Sequence, residues 1–272
     1  MEVSVIIVNY NTFDLTCLSI QSVIEKTNGL TYEIIVVDNA SDEISPQEFK
    51  NKFPEIQLIV NSANEGFAKG NNLGIVRATG EYIVLLNSDA MLKNNAIAIC
   101  RNSLQQHPSV GAMAARLEYP DGRIQHNCQR FPSIKYKLIE LLRLQKIISK
   151  KRGGRLLLGP FFDYNDFIYV DWIWGTFFMF PKSILIQMPE HRLPDEFFMY
   201  GEDVQWCMEF NKLGYLIAFN PTSHVIHYMG KSGGAKSELM KLNMDTIMRK
   251  YYSFFNRKII DWLDCLLIKD AA

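Results

Sequence analysis

Four times in its first ninety residues this chain runs through a short apolar stretch and stops on asparagine or aspartate. Val3 to Val8 ends at Asn9, Tyr10 and Asn11; Ile34 to Val37 ends at Asp38; Ile56 to Val60 ends at Asn61; Tyr82 to Leu86 ends at Asn87, Ser88 and Asp89. Continuous apolar runs of this length, bounded by polar residues, read as strands covered on both faces. Helical patterns lie between them. Phe13, Cys17, Ile20 and Ile24 share one face of a helix that Asn11 or Thr12 can cap and Asn28-Gly29 can stop, and Gly66 to Arg77 reads as a second helix. Strands alternating with helices imply right-handed crossovers and a parallel arrangement. The predicted fold class is therefore α/β: a Rossmann-like, mostly parallel central sheet with helices on both faces. Ligands of open α/β sheets bind beyond the carboxyl ends of the strands. The four polar ends would then build one crevice, with Asp89 where a hard cation and a phosphate could meet.

After Ala90 the pattern loosens. Ala96 to Gln106 reads as a helix, Val110 to Ala115 as a strand, and Tyr119 to Gly122 as a turn. From Arg130 to Arg155 nine basic residues accompany a single acid, Glu140, with leucines and isoleucines interleaved. This basic amphipathic segment, residues 135–155, is either a solvated helix or a dock for an anionic membrane surface. Val170 to Pro181 is aromatic, Val204 to Leu213 reads as a helix with Gly214 beyond it, and the tail from Leu239 is helical. With no repeat and no linker, one unit spanning 1–272 is expected: a nucleotide-binding half (1–90), a metal and acceptor half (91–235) and a helical tail (236–272).

Lys+Arg and Asp+Glu number 29 each, so nothing global points to nucleic acid. The five cysteines are scattered, odd in number and without zinc-ligand spacing, which favours buried thiols in a reducing cytosol. The chain starts without a basic leader, and no run approaches the ~20 apolar residues of a membrane span. A cytoplasmic location is expected, peripheral on the inner face of the membrane if residues 135–155 dock there.

Six motifs occur in order: Val8 to Asn11, Val37 to Ser41, Asn64 to Gly74, Leu86 to Asp89, Gly201 to Asp203, and His227 to Ser232. Together they resemble family 2 glycosyltransferases of the GT-A fold, and within them the bacterial rhamnosyltransferase-like branch, over Val3 to about Phe255. The resemblance implies an inverting, metal-dependent glycosyltransferase. It would move a sugar from a nucleotide-diphosphate sugar, with dTDP-rhamnose one candidate, to a hydroxyl of a saccharide or lipid-linked acceptor in cell-surface polysaccharide synthesis. A sugar-1-phosphate nucleotidyltransferase and a non-catalytic sugar-nucleotide binder are the rivals. The first usually carries a basic Gly-rich loop where this chain has Asn9 to Thr12.

The resemblance also assigns roles. Asp38 would contact base or ribose, and a carboxylate can accept from either; an Asx turn is the plain alternative. Asn9, Tyr10 and Asn11 join the nucleotide side, where Tyr10 either packs on the base or is a surface tyrosine. Asn64, Lys69 and Asn72 lie in a Gly-rich loop that opens a helix, a setting that favours anions, though its glycines could serve packing alone. Asn87 to Asp89 stands for the family's Asp-x-Asp, with an amide in place of the first acid. Asp89 is then the charged ligand for Mg²⁺ or Mn²⁺, alongside phosphate oxygens. His227 would join the metal or the diphosphate, and Lys231 could reach the diphosphate. Asp203 matches the general base and Glu202 a supporting hydrogen-bonding group, although Asp203 could equally cap a helix. Trp174 and Gly175 are acceptor candidates in an aromatic stretch that is either core or acceptor wall.

Overall fold

The computed structural model describes residues 1–228 and 236–271; Lys231 lies outside the described residues. The first half runs β1 (Val3–Asn9), α1 (Phe13–Lys26), β2 (Tyr32–Asp38), α2 (Gln47–Lys52), β3 (Gln57–Val60), α3 (Phe67–Arg77) and β4 (Tyr82–Asn87). It continues through β5 (Ala90–Leu92), α4 (Ala96–Gln106) and β6 (Val110–Glu118). Then follow β7 (Cys128–Gln129), α5 (Ile134–Leu141), α6 (Lys150–Leu157), β8 (Ile168–Val170), β9 (Trp172–Ile173) and β10 (Phe177–Pro181). The chain closes with α7 (Glu202–Lys212), β11 (Leu216–His227), α8 (Lys236–Tyr251) and α9 (Phe254–Ala271).

Nine strands form the main sheet in the order β3-β2-β1-β4-β10-β6-β11-β5, with β8 also on β11. β3, β2, β1 and β4 are mutually parallel, and β11 is parallel to β6. β10 enters antiparallel between β4 and β6, and β5 and β8 run antiparallel to β11. Asn9 stands opposite Asp38 and Val8 opposite Asn87, so β1, β2 and β4 end level and their polar termini share one edge.

Strand alternation feeds two cores. Val5 and Ile7 of β1, Val36 of β2 and Val84 of β4 face one side, with Ile20 of α1, Phe49 of α2 and Cys100 of α4. Ile6, Ile35 and Leu85 face the other, with Ile75 of α3 and Trp206 and Phe210 of α7. Each fully buried Val, Ile or Phe contributes roughly 1.5–3 kcal/mol. The aromatic stretch resolves the same way. Phe177 and Met179 enter one core and Phe178 and Phe180 the other, so this part is a central strand rather than an acceptor wall.

Residues 135–155 do not form one amphipathic helix. Arg143 adopts a left-handed conformation (φ +53°) and separates α5 from α6, leaving Leu142 and Ile147 exposed. α5 packs against α9 and pairs Lys137 with Asp264. Among the described residues no helix is long and apolar enough to cross a membrane.

Candidate active site

A cavity of about 300 Å³ opens at the level carboxyl ends of β1, β2 and β4. Tyr10, Asn64, Asn87 and Asp89 line it from the first half, and Trp174, Gly175, Glu202, Asp203 and His227 from the second. Nine of the residues singled out in the sequence therefore meet in one place.

Five others do not line it. The Asn9 amide is buried and fully used: it donates to Asp38 Oδ2 (2.7 Å) and Ser41 Oγ (2.9 Å) and accepts from Thr12 (3.1 Å) and Thr16 (2.8 Å). Asp38 also accepts from the Ser41 N–H (3.0 Å), closing an Asx-type turn. Asn11 bonds Asp42, and Lys69 is exposed and pairs loosely with Glu65 (3.6 Å). Asn72 brackets the Leu193 backbone, donating to its carbonyl (2.8 Å) and accepting from its N–H (3.1 Å), away from the cavity. Asn39, one residue beyond β2, reaches the cavity instead. It donates to Asn64 Oδ1 (2.8 Å) and the Gly66 carbonyl (3.2 Å) and so ties β2 to the start of α3.

Asp89 and His227 are brought together by β-pairing. β5 follows Asp89 directly and lies antiparallel to β11, with Ala90 opposite His227. Both side chains are buried, and His227 Nε2 lies 3.2 Å from Asp89 Oδ1. Gln125 fixes the ring. Its amide donates to the His227 carbonyl (2.7 Å) and turns Oε1 toward Nδ1 (2.7 Å), so Nδ1 carries the hydrogen. In the neutral ring the Nε2 lone pair then faces a carboxylate, an arrangement that a cation between the two would complete. The second Asp89 oxygen, Oδ2, is buried without a partner. Asp89 and His227 thus fit a divalent metal, which would need its remaining ligands from elsewhere, such as phosphate oxygens of a bound diphosphate. Among the described residues no group of three or more His, Cys, Asp or Glu side chains could hold a metal by itself.

Across the cavity Gly201 (φ +102°) turns the chain into α7. Gly201, not Asp203, occupies the cap position, and both acids fall in the first helical turn. Asp203 accepts from the Val204 N–H (2.8 Å) and the Gly175 N–H (3.2 Å). Burial lifts its carboxyl to about 6, against the pull of these backbone donors. Glu202 is more deeply buried, and its Oε2 has no partner. Burial first, and the adjacent Asp203 second, push its carboxyl well above the usual carboxylate range. Both carboxyls thus hold a proton more tightly than an ordinary carboxylate, with burial the main cause for each. Besides Asn39, the sequence did not single out Gln125, which meets His227 across 102 residues, or the cavity wall of Met240 and Met244 on α8.

Residues 4–165, more than half of the chain, match the model of the family described as Glycosyl transferase family 2. The chain belongs to glycosyl transferase family 2. It is a glycosyltransferase with the GT-A fold. The N-acetylglucosaminyl-diphospho-decaprenol L-rhamnosyltransferase of Mycobacterium tuberculosis is 22% identical over 226 residues, 74% of this chain and 68% of that protein. Among solved structures, GalNAc-T7 with UDP, GalNAc and Mn²⁺ superposes with a TM-score of 0.66 at 14% identity, covering 91% of this chain but only 48% of that one. The mannosyltransferase PcManGT of Pyrobaculum calidifontis, solved with GDP-Man and Mn²⁺, gives 0.60 at 18% identity over 96% of this chain and 68% of that one. The family match stops before α7 and β11, so the roles of Glu202, Asp203 and His227 rest on their geometry.

Proposed function

We propose that this glycosyltransferase inverts the anomeric centre of a nucleotide-diphosphate sugar by direct transfer to an acceptor hydroxyl, with dTDP-rhamnose the leading donor. One observation carries the proposal: the Asp89–His227 pair, joined from the two halves of the chain, and the Asp203 carboxylate line the same cavity. Asp203 takes the acceptor proton as the acceptor oxygen bonds the anomeric carbon and the bond to the diphosphate breaks. No protein nucleophile is needed, and a single displacement inverts the centre. Asp89 and His227 would hold Mg²⁺ or Mn²⁺, which when bound neutralises charge on the departing diphosphate. Asn64 and Asn87 offer amides to the nucleotide side, and Trp174 an aromatic face to the acceptor.

The mycobacterial relative is named for a lipid-linked saccharide acceptor, which supports an acceptor of that class and a role in cell-surface polysaccharide synthesis. A peripheral membrane position follows in the same proposal. Leu142 and Ile147 are exposed beside basic Lys146, Lys150 and Arg152, and α9, packed on α5, exposes Phe255, Ile259 and Trp262 at helical spacing. Basic charge around apolar side chains complements an anionic bilayer.

The test is a thermal-shift panel of UDP-, GDP-, dTDP- and CMP-sugars with and without Mn²⁺ or Mg²⁺. One nucleotide class should raise the melting point, more so with metal, and Asp89→Ala should remove the metal-dependent part. Absence of any nucleotide effect would overturn the reading, and a metal effect surviving in Asp89→Ala would overturn the metal assignment.

A further inference from the structure

The turn that delivers Glu202 and Asp203 is strained. Tyr200 has φ +65° and Gly201 φ +102°, two consecutive residues in the left-handed region. A tyrosine persists there only where its surroundings over-determine it. Those surroundings come from α8. Asn243 is buried, and its amide donates to the carbonyls of Met199 (2.9 Å) and Tyr200 (2.6 Å). A Cβ on Gly201 would stand 3.2 Å from Ile247 Cδ1 and 3.3 Å from Asn243 Cβ, so α8 packs directly on the turn. Ile247 is fully buried with Phe197, Val204 and Met208, which flank the turn on both sides. Met240, Asn243, Met244 and Ile247 follow i, i+3, i+4, i+7 spacing, so one face of α8 both clamps the turn and walls the cavity.

We propose that Asn243 is a positioning residue for transfer: it bridges the Met199 and Tyr200 carbonyls and fixes the turn that aims the Asp203 carboxylate at the acceptor hydroxyl. The inference rests on the reading of Asp203 as base. It makes α8, far outside the family match, part of the working site. The side-chain chemistry is specific. Two carbonyl acceptors on neighbouring residues need two hydrogens from one group, which a primary amide supplies. Aspartate has the same shape and, when ionised, only acceptors; alanine has neither donors nor bulk.

The experiment compares Asn243→Asp, Asn243→Ala and Asp203→Asn with the full-length parent. Three readouts are taken: amide hydrogen exchange over residues 197–204, the melting-point rise given by UDP or dTDP with Mn²⁺, and transfer from the sugar nucleotide that stabilises the parent. With no acceptor in hand, slow release of nucleoside diphosphate to water replaces transfer. Both Asn243 variants are expected to exchange faster over 197–204 and to keep the nucleotide-induced rise. Their kcat should fall about 100-fold, the size of effect that an ångström of misplacement produces, with donor KM little changed. An inactive Asp203→Asn beside Asn243 variants with the parent's kcat would overturn the positioning role and leave the base standing. A fully active Asp203→Asn would overturn the base reading and this inference with it. Loss of the nucleotide-induced rise in both Asn243 variants would mark a general structural role and also overturn the proposal.

Discussion

Replacing Asp203 with asparagine keeps the shape of the side chain and removes its charge. Burial raises this carboxyl to about 6, although the Val204 and Gly175 N–H groups favour the ionised form. A general base works as the carboxylate, so the rate must rise with pH through that value and level off above it. At pH 5 roughly a tenth of the groups are ionised, and kcat/KM should stand about tenfold below its plateau. In Asp203→Asn the rate at pH 7.5 should drop by about 10²–10⁴ and the acid limb should disappear. That loss corresponds to roughly 3–5 kcal/mol of barrier. Stability moves in the opposite sense. The folded-state value lies above that of the unfolded chain, so the folded protein binds the proton more tightly. The stabilisation is complete below the unfolded value near 4 and is lost as pH rises through about 6. The melting point of the variant relative to the parent should therefore rise between pH 4 and pH 7. The assay is a pH–rate profile of both proteins with the donor found by thermal shift, alongside melts over the same range. Full activity of the variant with the true acceptor, or an unchanged acid limb, would refute the reasoning.

The raised proton affinity of Glu202 gives a second expectation. Glu202→Gln matches the protonated form and should keep most of the activity, whereas Glu202→Ala should lose one hydrogen bond's worth, about 0.5–1.5 kcal/mol or roughly two- to thirteenfold in kcat/KM. Gly66 (φ +89°) has no room for a side chain, because a Cβ would sit 2.2 Å from the Phe198 carbonyl oxygen. Gly66→Ala should destabilise by about 3 kcal/mol in urea unfolding, and a loss below 1 kcal/mol would show that the two loops are free to separate. The membrane proposal predicts flotation with phosphatidylglycerol vesicles but not with phosphatidylcholine ones. A Lys146, Lys150 and Arg152 triple change to glutamine should cost about 1 kcal/mol per charge, and equal flotation of that variant would count against it.

The fold was legible because the strands of the first half are covered on both faces, which writes them as apolar runs. β1, β2, β3 and β4 fall within two residues of their expected bounds. β10 was harder to place. Phe177 to Phe180 serve two cores at once, so the run lacks the period that separates strand from buried helix, and its antiparallel position between β4 and β6 depends on strands far away in sequence. The site was legible where function follows from a strand end. It was illegible where polar side chains serve one another. Asn9 and Asp38 satisfy each other beneath the crevice, and Asn72 holds the Leu193 backbone 121 residues away. A motif records the residue type but not which partner uses its hydrogen bonds, and Gln125 and Asn243 lie in no motif at all.

The arrangement of charge explains why the two halves are needed together. The strand ends of the first half place only Asp89 as a charged group in the cavity, because Asn87 is an amide and Asp38 is turned to Asn9 and Ser41. A lone buried carboxylate is costly. β11 places His227 against it, but with Nδ1 turned to Gln125 the neutral ring offers only its Nε2 lone pair. Asp89 Oδ2 has no partner, so the pair lacks the positive charge that a bound cation would supply. The second half also brings its own acids: Glu202 Oε2 has no partner, and Asp203 accepts only from the Val204 and Gly175 N–H groups, which offset part of its burial. The unmet charge at Asp89 suits a cation and the negative diphosphate it would accompany. At Asp203 burial outweighs its backbone donors and raises the proton affinity that the proposed base needs. Two carboxylates held differently in one cavity of about 300 Å³ fit the proposed transfer, in which a leaving group is held and a proton removed.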